Sequence, residues 1–193
     1  MDWHVGLGVL AGVLAICAAY PYLRDMLRGE TRPNIVSWSI WALAVGISAA
    51  AQLVAEPSWS AALVVVTFFV DITILSFGIF GYGYREFRWW DGLCLVLSLT
   101  ALILWRLSGD PLIALGFAIA ADALAFAPTY IKSYREPQSE TPITWVLFGL
   151  SGLAAIGAAT VLDFASIGFA LYYAIACLGV AAVVWLRGVV KKA

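Results

Sequence analysis

Seven long apolar runs constrain this chain more than any other feature of its sequence. A bilayer core is spanned by roughly 20 helical residues, and each run meets or approaches that length. With 63% hydrophobic residues, 12% charged residues and a mean hydropathy of +0.94, the chain is too apolar for a soluble domain of 193 residues. It is therefore predicted to be an all-α integral membrane protein with seven transmembrane helices. The runs cover 3–22, 34–55, 58–82, 90–107, 111–130, 142–162 and 164–186.

The distribution of lysine and arginine predicts the orientation. Most of these cations follow the first, third, fifth or seventh run, and only Arg106 falls on the opposite side. Because cytoplasmic loops carry the excess of Lys and Arg, we expect the N-terminus outside and the C-terminus in the cytoplasm. The cations assigned to the cytoplasmic side are Arg24, Arg28, Arg32, Arg85, Arg88, Lys132, Arg135, Arg187, Lys191 and Lys192.

A stretch near the end of the first run recurs 107 positions later, where Pro21 aligns with Pro128 and Trp38 with Trp145. In both copies an apolar run ends near the proline, a short charged loop follows and a new apolar run begins, as in a duplicated helix–loop–helix. The offset pairs the first run with the fifth, the second with the sixth and the third with the seventh. The unpaired fourth run restores the parallel orientation of two such units. This predicts a first three-helix bundle at 1–88, a linker helix at 89–108 and a second three-helix bundle at 109–193.

Through these prolines, loops and tryptophans the chain resembles the PQ-loop superfamily, which includes the SWEET (MtN3) transporters. The glutamine of the family motif is absent from both copies, where Tyr22 and Thr129 follow the prolines. The resemblance implies a divergent bacterial-type member in the inner (plasma) membrane, which works by alternating access around a midplane cavity. It also implies hinges at Pro21 and Pro128, because proline removes a helical hydrogen bond. The alternative is that each proline merely ends its helix.

Two carboxylates are the first candidates for substrate binding. Asp71 lies half-way along the third run and Asp122 half-way along the fifth, with no lysine or arginine at comparable depth. An ionisable group at the bilayer centre costs about 2.5–3.5 kcal/mol on insertion scales, so its presence indicates function. Protonation of Asp122, near Pro128, would also couple proton entry to the hinge. The competing interpretations are structural hydrogen bonds, from Asp71 to a Ser or Thr and from Asp122 to the first run.

Aromatic and polar residues complete the candidate site. The resemblance places the substrate between the third and seventh helices, where Asp71 would face Tyr172 and Tyr173. Such a pocket suits a small polar, zwitterionic or cationic solute. Trp38 and Trp145 are the candidate gate, with a place in an interfacial aromatic belt as the alternative. The remaining candidate pocket residues are Trp41, Ser48 and Gln52.

Several classes of function lack a basis in the sequence. A formal net charge of −1 without a basic cluster argues against nucleic-acid binding. His4 is the only histidine and the three cysteines lie within apolar runs, so we expect neither a metal site nor a disulfide framework. No phosphate-binding glycine motif follows a strand, so transport would be downhill or driven by an ion gradient.

We therefore expect a small-solute transporter that is not an enzyme, needs no cofactor and has the lipid bilayer as its surroundings. Small residues on helix faces also permit a homo-oligomer. A non-transporting receptor or membrane partner subunit of the same fold is the alternative.

Overall fold

The computed structural model describes residues 3–55, 59–107, 109, 111–159 and 161–190, with the side chains at 47–66 among those it does not describe. That part of the chain has seven α-helices and no β-strand, and each predicted run overlaps one of the helices. The all-α prediction is thus confirmed. The helices are α1 (Trp3–Leu27), α2 (Ile35–Ala55), α3 (Trp59–Phe77), α4 (Trp89–Leu107), α5 (Pro111–Arg135), α6 (Pro142–Ala158) and α7 (Phe164–Val190).

Local sequence explains several helix ends. Asn34 precedes α2, and its Oδ1 accepts hydrogen bonds from two backbone N–H groups of the first turn at 3.0 and 3.2 Å. Pro142 opens α6, where a missing N–H has no cost. One π-helical turn, Gly78–Tyr82, extends α3 and bends at Gly81, whose φ of +133° suits only glycine.

The helices α1 and α5 continue through their prolines. Pro21 lies six residues before the end of α1 at Leu27, and Pro128 lies seven before the end of α5 at Arg135. Both prolines are buried. The interpretation that each proline ends its helix is therefore wrong, because each helix continues for more than one turn beyond its proline.

Packing brings helices that are distant in sequence together. In the first half of the chain α3 packs against both α1 and α2, and in the second half α7 packs against both α5 and α6. Between the halves, α1 packs against α6 and α2 against α5, while α4 lies against α5 and α2. The interior is consequently enclosed by helices from both halves.

Apolar side chains cover much of the described outer surface, and several ionisable groups lie inside. Val9 and Val13 on α1 are 62% and 50% exposed, whereas Asp71 is 7% and Lys132 is 1% exposed. Soluble domains show the opposite distribution. Within the described residues two helical segments, Trp3–Leu27 and Ile167–Val189, are long and apolar enough to cross a membrane by length and composition.

Candidate functional site

A cavity of about 330 Å³ lies between the two halves of the chain, lined by residues of α1, α2, α3, α5, α6 and α7. Its volume is at the lower end of the range of about 300–1,000 Å³ that is typical of small-ligand sites. Small side chains of α1 and α6, including Ala11, Ala15 and Gly152, form part of the lining. They leave the space that bulkier residues on α2, α5, α6 and α7 then line.

Both candidate carboxylates line this cavity. Asp71 approaches it from α3 and Asp122 from α5, so each half of the chain contributes one. Tyr172 Oη donates a hydrogen bond to Asp122 Oδ2 at 2.9 Å. Among the described residues Asp122 is therefore hydrogen-bonded to α7. The structural interpretation required a hydrogen bond to α1, which is not found in that part of the chain. No Ser or Thr of a neighbouring helix bonds Asp71 within the same part of the chain.

Aromatic rings surround the carboxylates. The ring centroid of Trp41 lies 4.7 Å from that of Phe126, 5.2 Å from that of Trp38 and 6.1 Å from that of Trp145, which are favourable distances for aromatic pairs. Trp38 and Trp145 are each 2% exposed. Their assignment to an interfacial belt is therefore wrong, since both belong to the core and line the cavity. The aromatic residues of the lining are Trp38, Trp41, Phe126, Trp145, Phe148, Phe169 and Tyr173.

Two polar groups beside the cavity differ in their partners. Trp41 lines the cavity, but its Nε1 is buried and has no hydrogen-bond acceptor among the described residues. Ser151, by contrast, donates to the Ala11 carbonyl at 2.8 Å. A buried N–H without a partner is costly.

At one end of the bundle, here named the loop end, residues 28–34 of the first half meet residues 136–141 of the second. The Arg32 backbone N–H donates to the Ser139 carbonyl at 2.9 Å. Thr141 Oγ1 donates to Asp25 Oδ2 at 2.9 Å and is also hydrogen-bonded to the hydroxyl of Thr31. These contacts connect the two halves through buried polar groups.

A buried ion pair joins the loop end to the cavity. Lys132 Nζ pairs with Glu140 and also donates to the Arg32 carbonyl of the other half. Glu140 Oε2 accepts a hydrogen bond at 2.9 Å from the indole N–H of Trp145, which lines the cavity. Whereas the orientation argument treats Lys132 as a loop cation, the structure buries it in this pair because the two loops close over it.

The remaining predicted residues fall in different places. Tyr173 lines the cavity, while Tyr172 acts on it through its bond to Asp122. Ser48 and Gln52 lie on α2 at positions whose side chains are outside the described residues, as are Lys191 and Lys192. The loop-end groups were not predicted from sequence. The 107-residue offset carried a signal for them, because it aligns Asp25 with the oppositely charged Lys132.

No protein-family model matches this sequence, and no curated protein or solved structure is significantly similar to it. The cavity and the loop end are consequently the observations on which a function can be proposed.

Proposed function

We propose that the protein is a small-solute membrane transporter, SWEET-like in architecture, that works by alternating access to its central cavity. All seven helices would cross the membrane, with the loop end in the cytoplasm and the N-terminus outside. The observation that carries this proposal is the cavity itself, enclosed by helices of both halves and lined by one carboxylate from each.

The packing supports two equivalent three-helix units joined by α4. If the two units are exchanged, α1 takes the place of α5 and α2 takes the place of α6. The contact of α1 with α6 then becomes the contact of α5 with α2, and both contacts occur. Ser37 and Thr144 are equivalent positions, and each is hydrogen-bonded to the first helix of the other half. Thr144 Oγ1 donates to the Ala18 carbonyl of α1 at 3.0 Å, and Thr129 Oγ1 of α5 donates to Ser37 Oγ at 2.8 Å. Parallel repeats of this kind are one of the arrangements found in transporters.

The loop-end contacts support a state in which the cytoplasmic side is closed. Below the cavity the indole rings of Trp38 and Trp145 pack into the core, and beyond them the buried polar contacts connect the halves. Transport would require these contacts to separate while the far end closes. Pro21 and Pro128 lie between the cavity and the loop end, where a helix bend would move the last turns of α1 and α5.

Transport is tested with the purified protein in liposomes, using uptake and counterflow of labelled sugars, amino acids and amines, with and without a pH gradient. We expect one class of solute to exchange, at a rate that Asp71→Asn lowers at least about tenfold. Asp91→Asn is the matched control, because Asp91 is a buried carboxylate that caps α4 by accepting from the Arg88 N–H at 2.7 Å, away from the cavity. A protein that binds a solute but moves none would favour the receptor or partner-subunit alternative.

A further inference from the structure

The charges around the cavity select the sign of its ligand. Asp71 and Asp122 both line it, and none of the described lining residues is Lys, Arg or His. An ionised carboxylate away from water is costly unless it is paired. A cationic ligand would supply the positive charge that the cavity wall lacks, whereas an anionic one would add to the repulsion.

Aromatic rings select the body of the ligand. Seven aromatic side chains of the described residues line the cavity, and ring contacts connect all of them. The faces of such rings attract ammonium groups, tryptophan most strongly, and the attraction grows when water is excluded. The remaining lining is mostly alanine, glycine and other apolar side chains.

Hydrogen-bonding capacity narrows the choice further. Ionised carboxylates only accept hydrogen bonds, and Ser151 already donates its proton to the Ala11 carbonyl. The indole N–H of Trp41 is itself buried and adds no surface to the cavity. A sugar presents many hydroxyl groups that each donate and accept, and the described wall offers few partners for them. An ammonium group on an apolar body needs fewer such partners and fits better.

We infer that this cavity binds small organic cations, in which an ammonium group faces Asp71 and Asp122 and an apolar body packs against the aromatic rings. This inference names the substrate class of the proposed transporter. The claim that such cations are transported rests on the proposed function, whereas the claim that they bind does not.

The test measures binding by calorimetry and thermal unfolding of the purified full-length protein at neutral pH. Probes are choline with its neutral isostere dimethylbutanol, and phenethylamine with phenethyl alcohol. We expect at least one cation to bind and its neutral analogue to bind at least about tenfold more weakly. Asp71→Asn and Asp122→Asn should each weaken the cation at least about tenfold, while Asp91→Asn changes its affinity less than about twofold.

Equal binding of cations and neutral analogues, binding that is unaffected by both Asp→Asn variants, or no binding of any cation to the folded protein would overturn the inference. The two proposals fail separately. If cations bind in a carboxylate-dependent way but are not moved across liposomes, the inferred ligand class stands and the transport proposal is rejected. If a neutral solute is exchanged and no cation binds, transport stands and the inferred ligand class is rejected.

Discussion

Tyr172 holds one of the two carboxylates that define the cavity. Its hydroxyl, on α7, donates a hydrogen bond of 2.9 Å to Asp122. This is the hydrogen bond that the structure describes for that carboxylate. Tyr172→Phe removes the donor and keeps the ring, so we expect the free energy of unfolding to fall by about 1–3 kcal/mol. Thermal or denaturant unfolding in detergent measures this. Tyr20→Phe is the control because Tyr20 is 72% exposed, and an equal effect of both variants would contradict a role for the Asp122 bond.

Lys132 and Glu140 form a pair in which neither side chain reaches solvent. Lys132→Met leaves Glu140 buried without its cation, which typically costs about 3–5 kcal/mol of stability. The double variant Lys132→Met with Glu140→Gln should recover part of this loss, because no uncompensated charge remains.

The Arg88–Glu86 pair supplies the comparison for Lys132 and Glu140, since its side chains are 46% and 63% exposed. We expect Glu86→Gln to change the free energy of unfolding by less than about 1 kcal/mol. Similar effects of Glu86→Gln and Lys132→Met on the unfolding midpoint would show that burial does not control the strength of these pairs.

Close contact between α6 and α7 depends on glycine. A Cβ added at Gly149 would lie 2.6 Å from Leu178 Cγ on α7, whereas one at Gly92 on α4 would meet no atom within 4 Å. Gly149→Ala is therefore expected to destabilise the protein by about 1–3 kcal/mol through overpacking. Gly92→Ala should stabilise it by about 0.5–1 kcal/mol, because alanine favours a helix. Unfolding midpoints of the two variants that shift in the same direction would contradict this difference.

The prolines inside α1 and α5 are expected to matter for movement more than for folding. Pro21→Ala and Pro128→Ala each allow a hydrogen bond that proline prevents. We expect equal or higher thermal stability together with slower solute exchange in liposomes, because the last turns of the helix would bend less. Unchanged exchange in both variants would leave the prolines with a structural role only.

A disulfide across the loop end tests whether the two halves must separate there for solute exchange. The side chains of Thr31 and Thr141 touch across the two halves, so Thr31→Cys with Thr141→Cys is expected to form a disulfide on oxidation. Cys17→Ala removes the exposed native thiol from the background. Oxidation should lower solute exchange at least about tenfold, because separation of the loops would be prevented, and a reductant should restore it.

Ligand binding from the far end should persist in the locked protein, which separates closure from unfolding. Exchange that continues after complete cross-linking would show that the loop end does not open during transport. The single variants treated with the same oxidant are the controls.

The cavity shows what sequence reasoning could and could not find. Depth in an apolar run identified Asp71 and Asp122, because an ionisable group there needs a reason to be present. For Trp38 and Trp145 the same reasoning left an interfacial aromatic belt as the alternative to a gate, because residues one turn into a helix also lie at the depth of such a belt. Their burial depends on which face each helix turns towards its neighbours, and a local pattern does not show that.

The seven helices, their order and most of their ends follow from the sequence. Apolar runs of helical length form helices because a backbone away from water must satisfy its own hydrogen bonds, and Asn34 and Pro142 mark two of the starts. The partners of the polar groups follow from packing. Lys132 meets the Arg32 carbonyl 100 residues away and Asp25 meets Thr141 116 residues away. Such contacts depend on how distant helices pack, because a buried charge takes whatever partner the fold brings within reach.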